Sequence, residues 1–145
     1  MSAKAAVAAL LEAVRKRDLD AVAAATKGGK IDVVPLGIKG AASSKNKEFF
    51  GALFASFPDL EVEEVKTIVS GDSALLDVIL TGTPAEPYLD VAIRDGKTLT
   101  SRQAWRIEVS GGTVSSLRVY FCQNEVKWSL GANKTYAEAI AGARV

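Results

Sequence analysis

The residues most able to do chemistry gather at the end of one strand-like run, Leu117-Arg118-Val119-Tyr120-Phe121-Cys122. Cys122 is the single cysteine of the chain. As a thiolate it would be a nucleophile or a base, which requires a neighbouring cation to lower its pKa. Arg118 stands at even strand spacing from it and could share its face. The alternative is a small buried hydrophobe, the usual state of a free cysteine. Tyr120 either donates a hydrogen bond into a cavity or packs with its hydroxyl satisfied. Asp90 shares a strand face with Tyr88, as a pocket carboxylate or on a solvated face. Gln103 and Ser101 share strand parity with Trp105, and an inward polar side chain is costly unless partnered. Tyr120, Asp90 and Cys122 are thus the candidate catalytic residues. Phe50, Phe54, Gln103, Trp105, Arg118 and Trp128 are the candidate ligand-binding residues.

Composition narrows the chemistry. Among 145 residues, 18 Lys plus Arg face 17 Asp plus Glu, and histidine is absent. The near-balance argues against nucleic acid as a partner, which would call for a basic stripe. The run Arg15-Lys16-Arg17 fits the C-terminal end of a helix, where cations are favoured. Without histidine there is no imidazole zinc site and no His-based triad, and one cysteine makes neither a thiolate cluster nor an internal disulfide. No metal or cofactor is expected. The turns "SGGT" and "DGK" lack the strand-to-helix setting of a phosphate loop. The opening "MSAKAAVAALLEAVRKRD" superficially resembles a leader peptide, but Glu12 interrupts its apolar run. No apolar stretch reaches spanning length. The expected setting is cytoplasmic, with no membrane partner.

The elements that must position these residues follow from periodicity. Val7, Leu10, Leu11 and Val14 form the stripe of a helix with one buried face. Asp18 is placed to cap a second short helix, with Leu19, Val22 and Ala23 inward and Gly28-Gly29 as its end. "IDVVPLGIKG" reads as an irregular extended segment because Pro35 and two glycines disfavour regular structure. Ser43 or Ser44 caps a third helix carrying Phe49, Phe50, Leu53, Phe54 and Phe57, which Pro58 stops. That aromatic stripe is either core or the lining of a ligand cavity.

From Leu60 the period becomes two. Strands are expected over Leu60–Val69 and Ser73–Thr81, then through Leu89, Val91 and Ile93, through Trp105, Ile107 and Val109, and over Val114–Cys122, all antiparallel. A short amphipathic segment carries Trp128. Thr135 and Glu138 have the spacing of a capping box, so 133–145 is expected to form a tail helix. The whole is a single α+β domain, 1–145: helices first, then a curved antiparallel sheet wrapped over them as a cone whose wide end is a cavity.

Read with its residues, this order resembles the SnoaL-like polyketide cyclases of the nuclear transport factor 2-like superfamily, with its cystatin-like α+β barrel. The resemblance is carried by "FFGALFASFPDLEVE", "SGDSALLDVILTGT" and "WRIEVSGGTVSSLRVYFCQNEVKWSLGA", and covers roughly residues 4 to 132. It extends more distantly to the limonene epoxide hydrolases. Set against their Trp-Arg-Asp-Tyr-Phe-Asp run, the chain keeps Arg118, Tyr120 and Phe121 but has Val119 and Cys122 in place of both acids. Pro84 stands where such cyclases often carry a histidine.

The resemblance implies a homodimer through the sheet and a hydrophobic cyclic or polyketide-like ligand. Cyclase or isomerase chemistry would follow, without metal or cofactor. Ring closure by an aldol route needs a group that takes and returns a proton, and valine does neither. Two readings therefore stand. One is catalysis by holding the ligand in a reactive shape with hydrogen bonds from Tyr120, Gln103 or Arg118. The other is a non-catalytic ligand carrier or dimerising interaction domain.

Overall fold

The computed structural model describes residues 2–42 and 44–132. The expected tail helix and a cap at Ser43 lie outside the described residues. Helix α1, Ala3–Arg15, buries the expected stripe of Val7, Leu10, Leu11 and Val14, and the Ser2 hydroxyl at its start accepts from the Ala5 N–H at 3.2 Å. Asp18 caps α2, Leu19–Ala25, by accepting from Ala21 N–H at 3.0 Å. Val22 is buried there, while Leu19 and Ala23 are half-buried. None of the described helices is long and apolar enough to cross a membrane.

The segment that reads as irregular in the sequence is instead a hairpin. Lys30–Val33 forms β1, a short 3-10 turn spans Val34–Leu36, and Ile38–Ala42 forms β2. Pro35 sits within the turn and Gly37, at φ 70°, closes it, so both residues shape the reversal and leave the strands intact. Helix α3 then runs Ser44–Ser56. Four strands follow: β3 (Glu61–Ser70), β4 (Ser73–Gly82), β5 (Leu99–Ser110) and β6 (Thr113–Phe121), and α4 (Gln123–Ser129) completes the described chain.

The sheet has six strands in the order β2-β1-β6-β5-β4-β3. It is mixed, where the sequence suggests purely antiparallel pairing: β1 lies parallel to β6, with Ile31 opposite Leu117 and Val33 opposite Val119. Helix α2 packs near this junction, and the glycines after it let the backbones close. A Cβ at Gly29 would stand 2.5 Å from the Val114 carbonyl oxygen. Register shifts between Glu64 and Lys66 and between Glu108 and Val109 bend the long strands over the helices. The result is the α+β layout expected, with the core between the concave sheet face and α1 to α3.

One expected strand does not form. Leu89, Val91 and Ile93 alternate, but Leu89 and Asp90 both take positive φ, 47° and 61°, between mutually bonded Tyr88 and Val91. Two left-handed residues in succession make a tight primed reversal, not an extended run. Tyr88 and Val91 are buried at its base, and Ile93 is left about half-exposed. Pairing β4 directly with β5 leaves residues 83–98 as a crossing loop. Its start is fastened by Asp59, which accepts from Thr83 N–H at 2.7 Å.

Two outcomes follow. Gly29→Ala is expected to lower stability by about 1–3 kcal/mol in urea denaturation, because the clash is with backbone that cannot step aside. The Thr83 N–H holds the Asp59 carboxyl below its ordinary value, and the Gly40 N–H with Arg118 does the same for Asp32. A carboxyl lowered in the folded state stabilises the fold above its unfolded value, and that contribution fades as pH falls through the folded one. Stability should therefore drop as pH falls through about 4 and below, and less steeply in Asp59→Asn. Parallel acid limbs for the two proteins would remove Asp59 from this role.

Candidate functional site

Strand β5 alternates strictly, with Leu99, Ser101, Gln103, Trp105, Ile107 and Val109 buried. Direct neighbours across an antiparallel ladder point to the same side, so Leu76 of β4 and Val119 of β6 flank Trp105 on the inner face. Helix α3 presents Phe50 to this wall. The Phe50 and Trp105 rings meet edge-to-face, with centroids 6.0 Å apart and planes at 76°. Neither residue has exposed surface.

Inside this apolar setting runs a line of neutral polar groups. Trp105 Nε1–H donates to Gln103 Oε1 at 2.9 Å, and Gln103 Nε2–H donates to Ser101 Oγ at 3.1 Å. The Ser101 hydroxyl proton and the second Gln103 amide proton are not spent on described residues. Asn46 lies one helical turn before Phe50, on the same face of α3, fully buried with neither amide atom hydrogen-bonded. Among the described residues no Asp, Glu, Lys or Arg is buried. The interior can thus donate hydrogen bonds to a ligand oxygen, but it holds no carboxylate to take a proton.

A cleft of about 370 Å³ opens beside this core, between α3 and the 86–91 turn. Phe49, Ala52, Tyr88 and Leu89 line it, with Glu48 and Glu86 exposed at the rim. Phe49 meets Phe50 edge-to-face at 5.0 Å, so aromatic contacts connect the cleft to Trp105. The turn is tied to α3: Ala85 N–H donates to the Ser56 carbonyl at 2.7 Å, and the Tyr88 ring meets Phe57 at 5.2 Å. Burial pushes the Tyr88 phenol up to about 12, so it stays protonated and able to donate at neutral pH.

The sequence-derived site residues separate into several places. Phe50, Phe54, Gln103 and Trp105 share the inner face. Arg118 and Tyr120 pair with Arg106 and Ala104 on the opposite, outer face, so they cannot join Gln103 around one ligand. Arg118 Nε–H donates to Asp32 Oδ2 at 2.9 Å, and its Nη1 reaches the Tyr120 hydroxyl at 3.4 Å. Cys122 is exposed, one residue beyond β6, which removes the face it was expected to share with Arg118. Asp90 is exposed in the reversal and not on a strand with Tyr88.

Trp128 is half-buried on α4, and that helix completes the sheet edge. Glu125 accepts from the Arg102 N–H at 2.6 Å, and Ser129 Oγ accepts from the Thr100 N–H at 3.0 Å, past the end of β6. Asn46, Glu48, Ser56 and Glu86 escaped the sequence reading. Asn46 was detectable, because it stands on the helical stripe of Phe50. The two rim carboxylates depend on how the loop folds back.

The sequence matches the SnoaL-like polyketide cyclase family model over residues 4–121. No curated protein matches it significantly. AclR of Streptomyces galilaeus, a proposed hydroxylase, superposes with a TM-score of 0.80 at 16% identity, over 98% of this chain and 90% of its own. IdmH of Streptomyces antibioticus, a proposed polyketide cyclase, gives 0.77 at 16% identity, over 91% and 100%. An LEH-like epoxide hydrolase of M. tuberculosis gives 0.66 at 19% identity, over 88% of each chain. At these identities the likeness shows the fold, the NTF2-like or ketosteroid isomerase-like α+β architecture.

The two buried amides should respond oppositely to the same substitution. Gln103→Leu strands the Trp105 N–H without an acceptor and is expected to cost about 1–3 kcal/mol. Asn46→Leu removes an amide that has no partner and is expected to add about 1 kcal/mol. Urea midpoints read by tryptophan fluorescence check both, and equal signs would contradict the assigned hydrogen bonds.

Proposed function

The chain belongs to the SnoaL-like polyketide cyclase family, and on that premise we propose that it takes a hydrophobic cyclic, polyketide-like molecule into the cleft between α3 and the 86–91 turn. The observation that carries this reading is an aromatic-walled cleft beside a core whose polar groups, among the described residues, are all neutral. The ligand's apolar body lies against Phe49 and Leu89, and the protonated Tyr88 hydroxyl donates to a ligand oxygen. Phe50, Phe54, Gln103 and Trp105 form the layer behind it. The unspent amide proton of Gln103 and the hydroxyl proton of Ser101 fix the orientation of a ligand that displaces the ring of Phe49. Binding of this kind accelerates cyclisation or isomerisation by holding reacting atoms close, with developing oxygen charge met by fixed donors. No metal or cofactor enters it.

The second reading is a carrier that holds such a molecule unchanged. The closed contact of Phe50 on Trp105 and the lack of a buried carboxylate among the described residues favour it. In either case the partner protein is a second copy of the chain. Ile68 and Leu75 face each other on β3 and β4 and are about half-exposed, beside Arg106 and Glu108, which lie 3.7 Å apart. A two-fold pairing would cover the apolar pair and let each cation meet the other copy's acid.

The test uses a water-soluble anthraquinone as the probe and the fluorescence of Trp105 and Trp128 as the signal. Saturable quenching is expected in the wild type, and Ala52→Phe, which fills the cleft without adding a fluorophore to the tryptophan signal, should weaken it by about tenfold or more. Quenching that survives the filled cleft would overturn the site. With a cyclisable anthrone-type substrate, ring closure identifies the enzyme and unchanged recovery the carrier. Loss of turnover in Glu48→Gln or Glu86→Gln by about 10²-fold would show that a rim carboxylate moves the proton, against the neutral-donor reading.

A further inference from the structure

The outer side of the sheet carries a second cleft, of about 450 Å³, that the reading above leaves unused. It lies where the β1–β2 hairpin folds beside β6. Its walls are Val34, Ile38 and the Tyr120 ring, and its charged groups are Asp32, Lys39 and Arg118. We propose that this cleft binds a small aromatic monocarboxylate, its carboxylate on Arg118 and Lys39 and its flat body against Val34, Ile38 and Tyr120.

The geometry supplies the reasons. Asp32 and Arg118 are direct neighbours in the parallel register. The Asp32 carboxylate is already engaged by the Gly40 N–H and by Arg118 Nε–H. That pair orients the guanidinium, and the Tyr120 hydroxyl steadies its Nη1 side. A guanidinium has five N–H donors, so most of them remain for another acceptor. Lys39 makes no ion pair among the described residues. Two cations against one carboxylate leave the cleft with surplus positive charge.

A bare cross-strand ion pair would account for Asp32 and Arg118 alone. It does not account for Lys39 beside them, nor for Val34 standing half-exposed in the same wall. A planar fork of donors prefers a carboxylate to a neutral oxygen, and the volume suits a fused-ring body. The acid on Asp32 limits the charge the cleft accepts, which favours a monoanion over a dianion. This inference is independent of the cleft at α3, because the two open on opposite sides of the β1–β2 hairpin and share only Ile38.

Naphthalene-2-carboxylate is the probe, with the full chain labelled for 15N NMR. It is expected to shift the amide signals of Gly37 and Lys39 and the Arg118 Nε–H signal, leaving Glu48 and Ala52 unmoved. Naphthalene-2-carboxamide should bind about tenfold more weakly or worse, since it offers no charge to the guanidinium. Lys39→Glu reverses an exposed charge without touching the core and should weaken the carboxylate by about tenfold. Asp32→Asn keeps an acceptor for Gly40 and should tighten it severalfold. The proposal fails if the carboxamide binds equally, if both variants leave the affinity unchanged, or if the shifts fall on the α3 cleft. It fails equally if inorganic phosphate gives the same response, which would make the cleft a plain anion site, or if the face is silent because a second copy covers it.

Discussion

Trp105 is held twice, at its N–H by Gln103 and at its ring by Phe50, and this double hold seats α3 on the sheet. An aromatic pair of this geometry contributes about 0.5–1.5 kcal/mol beyond the area it buries, and an indole N–H left without a partner in a core costs about as much again or more. The two requirements act together. Gln103 must lie inside to serve Trp105, so a polar side chain is drawn into an apolar wall, and Ser101 follows to serve Gln103 in turn. The polar line in the interior is thus a consequence of placing tryptophan at the centre of β5. The two donor protons it leaves unspent, on Ser101 and Gln103, stay buried and do not line the neighbouring cleft.

Strand β6 divides the molecule's chemistry between two sides. Leu117 and Val119 face the core, while Arg118 and Tyr120 face out, toward the β1–β2 hairpin. Because β1 joins parallel to β6, Asp32 arrives directly beside Arg118, and the outer face acquires a polar cluster of its own. The same parallel pairing draws Gly29 against the Val114 carbonyl, where only a residue without Cβ fits. One junction, between the first strand and the last, therefore fixes where α2 ends and where the outer cleft opens.

Periodicity made most of the frame legible. The stripe of Val7, Leu10, Leu11 and Val14, the aromatic stripe ending at Pro58, and the alternation around Trp105 each hold in the fold, because each records a face that must avoid water. Asn46 was legible by the same logic, as a polar residue on the stripe of Phe50. The expected strand through Leu89 was not, since alternation cannot report a backbone φ of positive sign. The hairpin at Pro35 was read as irregular for a related reason: breakers mark a reversal without saying whether strands flank it.

The sequence by itself determined the α+β class and the buried faces of the helices and of β4 to β6. Those are properties of residue type and local spacing. Only the tertiary structure decided which side of β6 faces inward, that Arg118 meets Asp32 and not Cys122, and that Tyr88 and two glutamates frame the inner cleft. These depend on strand register and on a loop crossing back to α3, and contacts between residues so distant along the chain leave no periodic trace in it.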